Sequence, residues 1–165
     1  MRFVALLVGL VLVSSCDSTE PDLISDYFLR FQANGVSIEY REDPLLHGVL
    51  TRFGAEHALA AEGESSAGSQ VASSLNVSVF DVTPITTRSY VGYQTVTGGF
   101  TSAGLIYRTG GVEYNSNVSD ADNRVTVTEI ATAYRRGTFS GTVRAPGRPE
   151  VVITNGEFYV PTHLP

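Results

Sequence analysis

The chain has 165 residues, of which 42% are hydrophobic and 17% are charged, and it contains a single cysteine. This composition is typical of one globular domain with its own hydrophobic core, and it excludes a domain stabilised by internal disulfides. The formal net charge is −6, which argues against nucleic acid or an anionic lipid surface as a partner, because an acidic protein repels phosphate.

The first segment in chain order is an apolar run behind a basic residue. Arg2 precedes the apolar residues 3–13, and two serines come directly before Cys16. This pattern predicts a signal peptide over residues 1–15, because the apolar stretch is too short to remain as a membrane-spanning helix. Cleavage leaves about 150 residues, which suits a single domain.

The position of Cys16 resembles the lipobox of bacterial lipoproteins, in which a small residue precedes a cysteine that is acylated and becomes the mature N-terminus. The resemblance implies that Cys16 carries acyl chains such as palmitate and that the membrane is a partner through this lipid. Each buried methylene contributes about 0.8 kcal/mol, so two chains are sufficient for stable anchoring. Residues 16–26 are polar and acidic, which predicts a lipidated N-terminus and a tether that leads to the domain.

The first predicted element of the domain is a β-hairpin around Asn34-Gly35. Apolar and polar residues alternate on both sides of this dipeptide, which indicates two strands. Asn-Gly is the strongest short-range signal for a type I′ turn, because both residues must adopt positive φ. The turn predicts a register with three apolar pairs on one face and a charged pair on the other: Ala33 with Val36, Phe31 with Ile38, Leu29 with Tyr40, and Arg30 with Glu39.

Further segments have the composition or the alternation of strands and are separated by turn-rich sequence: 48–53, 57–62, 71–82, 90–97, 100–108, 112–114, 124–130, 137–144 and 151–160. Residues 54–64 also contain helix-forming Ala and Glu, but they lack an apolar stripe, so strand and irregular structure remain open there. We predict an all-β domain over residues 27–165. It is an antiparallel β-sandwich of about eight to ten strands, with a closed up-and-down β-barrel as the alternative.

Three segments resemble a family of small uncharacterised all-β lipoproteins from Bacteroidota and related bacteria: 31–35 (FQANG), 137–142 (GTFSGT) and 152–158 (VITNGEF). The resemblance implies a β-domain behind a lipobox in the cell envelope, and it carries over no catalytic residue. Acidic residues after the cysteine are similar to signals that send such lipoproteins to the outer surface: Asp17, Glu20 and Asp22. We therefore expect the protein to be located at the outer membrane. The sequence leaves open whether it is on the periplasmic face or on the surface face.

Hydrolase chemistry has only weak candidates in this sequence. Ser65 lies in the segment GESSA, which approximates the nucleophile elbow of a hydrolase but lacks its strand-to-helix context. The sequence contains three histidines that are possible bases, and no pattern arranges them around the serine: His47, His57 and His163. We therefore predict no catalytic residue.

Metal binding has one candidate, the acidic loop with Asp120, Asp122 and Asn123. Its oxygens suit calcium, but a recognised calcium loop needs further ligands and a bidentate carboxylate beyond them. We interpret the loop as a solvated turn and predict no metal site and no cofactor.

Aromatic residues in the middle of the chain are candidates for ligand contact, and we single out Tyr90 and Tyr93. Because the chain has no tryptophan, its tyrosines and phenylalanines must also build the core. The sequence predicts a lipid-anchored, non-catalytic recognition or structural module of the cell envelope, with a glycan or an envelope protein as partner. The alternative is an envelope hydrolase that acts on ester, peptide or glycan substrates.

Overall fold

The computed structural model describes four stretches of the chain: residues 26–41, 45–67, 70–116 and 122–162. The predicted signal peptide and Cys16 lie outside the described residues, as do Asp120 and His163. Within the four stretches, no helix is long and apolar enough to cross a membrane.

Twelve β-strands follow one another in the described stretches: β1 (Phe28–Ala33), β2 (Val36–Tyr40), β3 (Leu46–Phe53), β4 (Glu56–Ala67), β5 (Gln70–Asp81), β6 (Ser89–Val91), β7 (Tyr93–Val96), β8 (Gly99–Thr109), β9 (Val112–Asn115), β10 (Arg124–Ile130), β11 (Tyr134–Val143) and β12 (Val151–Pro161). The first sheet has the order β2-β1-β12-β11-β10-β6, and the second has the order β3-β4-β5-β8-β7, with β9 paired to β8. The predicted antiparallel sandwich is confirmed, and the alternative of a closed barrel is wrong. Residues 54–64 form a turn and the start of β4 rather than a helix.

The core lies between the two sheets and follows the period of two that strands impose. In β5, Leu75, Val77 and Val79 are fully buried, while Asn76 and Ser78 between them are partly exposed. Every second residue of β11 and β12 meets these side chains from the first sheet, which leaves the other residues of both strands on an outer surface.

β1 and β2 form the predicted hairpin in the predicted register. Asn34 and Gly35 have φ values of 48° and 82°, as a type I′ turn requires. The ladder contains all four predicted pairs: Ala33 with Val36, Phe31 with Ile38, Leu29 with Tyr40, and Arg30 with Glu39. A local turn signal together with alternation is therefore sufficient to define this part of the fold.

The hairpin turn provides a direct test of this assignment. Replacing Gly35 by Val puts a β-branched residue at positive φ, so we expect the free energy of unfolding to fall by about 1 kcal/mol or more. Urea unfolding followed by circular dichroism measures the change. Gly35→Asn is the matched control, because asparagine tolerates positive φ, and equal stability of the Val variant would contradict the assignment.

The charged pair of the hairpin differs from the prediction in its side chains. Arg30 and Glu39 are neighbours in the ladder, but the Arg30 guanidinium lies 2.6 Å from a carboxylate oxygen of Glu157 in β12. Glu39 accepts a hydrogen bond from Arg41 instead. The reason is that β12 lies on the other side of β1 and offers Arg30 a second carboxylate, which a local pattern cannot reveal.

The single strand predicted over residues 90–97 is divided at Gly92, where the chain crosses from one sheet to the other. Tyr90 belongs to β6 of the first sheet, and Tyr93 belongs to β7 of the second. The N–H of Gly92 donates to the carbonyl of Asn123 at 2.9 Å, and its own carbonyl accepts from a backbone N–H of β8 at 3.1 Å. Because this crossing divides one predicted strand into two, the described stretches contain twelve strands, more than the eight to ten predicted.

Candidate ligand-binding surface

Tyr90, one of the two predicted ligand-contact residues, is a core residue. Its side chain is 2% exposed. Its hydroxyl accepts a hydrogen bond from the N–H of Thr86 at 2.9 Å and donates to the carbonyl of the same residue at 3.2 Å. The guanidinium of Arg88 lies 4.6 Å from the ring centroid. The predicted ligand contact at Tyr90 is corrected, because its ring has no free surface.

Tyr93, the other predicted residue, is 51% exposed and lies on the outer surface of the second sheet. Its ring stacks on Phe100, with centroids 5.3 Å apart and ring planes inclined by 23°. Tyr90 points into the core and Tyr93 points to solvent, so the structure does not bring the two residues together. A ligand role for Tyr93 stays a prediction.

His57 is a described histidine whose partner residue in the strand pairing is a buried acid. It lies opposite Asp81 in the pairing of β4 with β5. The Asp81 carboxylate accepts hydrogen bonds from the N–H and the hydroxyl of Thr83, at 2.8 and 2.9 Å, and from Arg88. Burial raises the pKa of Asp81, but these hydrogen bonds outweigh it and hold that pKa below its ordinary value. Asp81 therefore organises the loop after β5.

Ser65 lies within β4, and its hydroxyl is hydrogen-bonded to the hydroxyl of Ser73. Its Oγ is 3.0 Å from the Oγ of Ser73, which also accepts a hydrogen bond from the Tyr40 hydroxyl at 3.0 Å. Burial raises the pKa of Tyr40 to about 12, so this phenol keeps its proton at neutral pH and does not act as a base. His47 lies beside Glu62, with Nε2 3.6 Å from a carboxylate oxygen.

The acidic loop that we interpret as a solvated turn is only partly within the described residues. Asp122 is exposed, whereas Asn123 is fully buried and its Oδ1 accepts a hydrogen bond from the N–H of Thr142 at 3.2 Å. No group of three or more His, Cys, Asp or Glu side chains in the described stretches is placed to hold a metal ion. The solvated turn stays a prediction, because Asp120 is not described.

A group of aromatic rings lies at one end of the first sheet: Tyr27, Phe28, Tyr134 and Tyr159, here called the aromatic cluster. Tyr159 is at its centre, with ring centroids 4.8 Å from Tyr27, 5.0 Å from Tyr134 and 6.2 Å from Phe28. The Tyr134 hydroxyl donates a hydrogen bond to Glu129, which raises the pKa of this phenol. All four rings are partly exposed, so the cluster offers an apolar surface to a ligand.

Three arginines border the aromatic cluster, and one of them, Arg41, has its guanidinium 5.7 Å from the ring centroid of Phe28. The Arg30 guanidinium lies 4.6 Å from the ring centroid of Phe28 and 2.6 Å from the Glu157 carboxylate. The Arg136 guanidinium lies 5.9 Å from the ring centroid of Tyr159. All three cations therefore lie beside rings of the cluster.

Adjoining depressions extend from the aromatic cluster across the outer surface of the first sheet, with volumes of about 380, 650 and 270 Å³. The first and second share Thr138 and Glu157, and the second and third share Asn155. The other lining residues include eight with hydroxyl, amide or guanidinium groups: Arg30, Gln32, Ser37, Arg124, Thr128, Arg136, Ser140 and Thr154. We call this continuous surface the polar groove.

The order of strands explains why the sequence did not reveal the polar groove. Its lining residues come from β1, β2, β10, β11 and β12, which are far apart in the chain but adjacent in the first sheet. Alternation places Glu157 and Tyr159 on the outer surface, because Phe158 between them is fully buried. Alternation does not identify which residues of other strands lie beside Glu157 and Tyr159.

In comparisons with known protein families, with curated proteins and with solved structures, no match to this chain was found.

Proposed function

We propose that this chain is a lipoprotein anchored in the outer membrane of a cell envelope through Cys16, and that its β-sandwich is a non-catalytic module that recognises an oligosaccharide. The observation that carries the proposal is the polar groove with the aromatic cluster at one end. The lipobox-like position of Cys16 supports the anchoring.

The chemistry of the groove fits that of a sugar chain. A sugar ring has apolar C–H faces, which pack on aromatic rings, and hydroxyls, which need both donors and acceptors. Phe28 and Tyr159 provide the aromatic rings. Arg30 provides hydrogen-bond donors, Glu157 provides acceptors, and the amide of Asn155 provides a donor and an acceptor. A run of adjoining depressions suits a ligand made of several such units.

A second envelope protein fits this surface less well than a sugar chain. Acidic residues are depleted at the core of a protein interface, whereas Glu157 lies in the middle of the groove region and Glu129 lines the same depression. The acidic character of the chain also favours a neutral sugar over a phosphorylated one.

One observation favours the alternative of a glycan hydrolase. Glu129 and Glu157 line the same depression, and glycoside hydrolysis uses two carboxyl groups, one of them as an acid. Both carboxylates already have partners in the protein, Tyr134 for Glu129 and Arg30 for Glu157. We therefore place recognition first, and turnover becomes an outcome of the binding experiment.

Binding of the purified mature protein to an array of envelope oligosaccharides, including peptidoglycan strands and O-polysaccharide, tests the proposal. We expect a hit whose dissociation constant rises about two- to tenfold in Tyr159→Ala, because stacking on a ring contributes about 0.5–1.5 kcal/mol. Tyr93→Ala is the matched control, since Tyr93 is an exposed ring on the other sheet, and it should bind like the wild type.

Three results would contradict the proposal. The first is an array without any hit. The second is a hit that depends on Tyr93 and not on Tyr159, which would mean that the binding site lies on the second sheet. The third is cleavage of a bound oligosaccharide, detected by chromatography, that is lost in Glu129→Gln or Glu157→Gln, which would make the module a hydrolase.

A further inference from the structure

A large apolar side chain is exposed at the tip of the hairpin between β3 and β4. Phe53 is the last residue of β3 and is 64% exposed, and Leu50 before it is 36% exposed. Gly54 follows in the turn with a φ of 62°, and its carbonyl accepts a hydrogen bond from Arg52 Nε at 2.8 Å. The tip is therefore an ordered turn that presents an aromatic ring to its surroundings.

This tip points away from the domain on the side where the chain enters it. Gly48 in β3 forms a parallel bridge with Thr162, so β3 continues in the direction in which β12 ends. β1 is antiparallel to β12, with Phe28 opposite Tyr159, so the N-terminal end of β1 lies on the same side. From Gly48 to Phe53 the strand advances roughly 16 Å at about 3.3 Å per residue, which carries the ring beyond this junction.

The length of the tether keeps this side of the domain close to the proposed anchor. The ten residues from Cys16 to Ser25 span at most roughly 35 Å when fully extended. A contact made by an already tethered domain acts at a high effective concentration, so a contact that is weak on its own becomes populated.

We propose that the β3–β4 hairpin inserts Phe53 into the interfacial layer of the membrane that holds the lipid anchor. The inference rests on the proposed acylation of Cys16 and adds an orientation to it. Phenylalanine is among the residues that membrane-surface segments bury at the boundary between lipid headgroups and acyl chains. Because the chain is acidic, the contact is with a phosphatidylethanolamine-rich surface and does not depend on attraction to anionic lipid.

The orientation that results places the Asn34-Gly35 end of the first sheet away from the membrane and the aromatic cluster at the near end. The turn at Asn34-Gly35 closes the other end of β1, so Val36, which is 66% exposed, lies on the distal side. Val36 is therefore a matched control for Phe53: both are exposed apolar residues beside a hairpin turn, one at the membrane end and one at the opposite end.

The test uses the full chain, processed and acylated by its host and then reconstituted in phosphatidylethanolamine-rich vesicles. Ala55→Cys places a thiol in the turn next to Gly54, and a polarity-sensitive dye attached to it reports its surroundings; acylated Cys16 does not react. We expect blue-shifted emission that is protected from iodide, at both low and high salt. The shift should be lost when Phe53→Ser is added and kept when Val36→Ser is added.

Mass spectrometry of the mature N-terminus separates failure of the anchor from failure of the insertion. An unmodified Cys16 overturns both the anchor and the insertion. An acylated chain whose dye stays accessible to iodide overturns the insertion alone. A blue shift that also occurs in a Cys16→Ser/Ala55→Cys chain without vesicles, labelled only in the turn, overturns it too, because the ring would then be covered by a second copy of the protein.

Discussion

Replacing Cys16 by Ala is expected to abolish the lipid anchor of the protein. The thiol is the proposed site of acylation, and two acyl chains are sufficient to make anchoring stable, so their loss leaves only the weak contact at Phe53. In a detergent phase-partition experiment the native protein should enter the detergent phase. The Cys16→Ala chain should stay in the aqueous phase or accumulate as uncleaved precursor.

The control for this release is Ser18→Ala, which changes a neighbouring polar residue of the tether without touching the thiol. We expect it to partition like the native protein and to show the same acylated N-terminus by mass spectrometry. A native protein whose mature N-terminus is an unmodified residue would contradict the lipoprotein assignment outright.

A large loss of stability is expected from a single methyl group at Gly137. A Cβ atom at this position would lie 2.4 Å from the Phe158 ring and 2.4 Å from the carbonyl oxygen of Thr126. Phe158 is fully buried and the carbonyl belongs to the backbone, so neither moves aside without disturbing the core. We expect Gly137→Ala to lower the free energy of unfolding by about 2–3 kcal/mol, which corresponds to a fall of about 5–10 °C in Tm.

Gly104→Ala is the matched control for Gly137→Ala. It adds the same methyl group to β8, where the nearest atom is the Ser78 hydroxyl oxygen at 3.1 Å. A hydroxyl can rotate, so we expect a change below about 1 kcal/mol. Equal thermal stability of the two variants would mean that Gly137 is not closely packed against Phe158.

Local patterns in the sequence predict the fold class well because a strand has a period of two. The hairpin at Asn34-Gly35 and the inward positions of β5 follow from alternation and from one turn signal. The division at Gly92 does not, because both halves of residues 90–97 are extended and differ only in the sheet with which they pair. For the same reason the sequence did not separate Tyr90 in the core from Tyr93 at the surface.

The candidate site was missed for a related reason. The aromatic residues singled out from the sequence lie in the middle of the chain, whereas the aromatic cluster combines Tyr27 and Phe28 with Tyr134 and Tyr159 from the other end. The pairing of β1 with β12 creates this neighbourhood. Neither composition nor alternation contains information on which distant strands pair.

The position of β12 also has a consequence for the time course of folding. β12 is the last described strand but lies in the middle of the first sheet, between β1 and β11, and joins residues as distant as Arg30 and Glu157. Closure between such distant segments is slow, whereas the hairpins of β3, β4 and β5 form from neighbouring sequence. In a chain that crosses a membrane with its amino terminus first, the β1–β2 hairpin has no sheet to join until the carboxyl-terminal strand has emerged. Under the proposed export, the first sheet is therefore completed only after β12 has crossed the membrane.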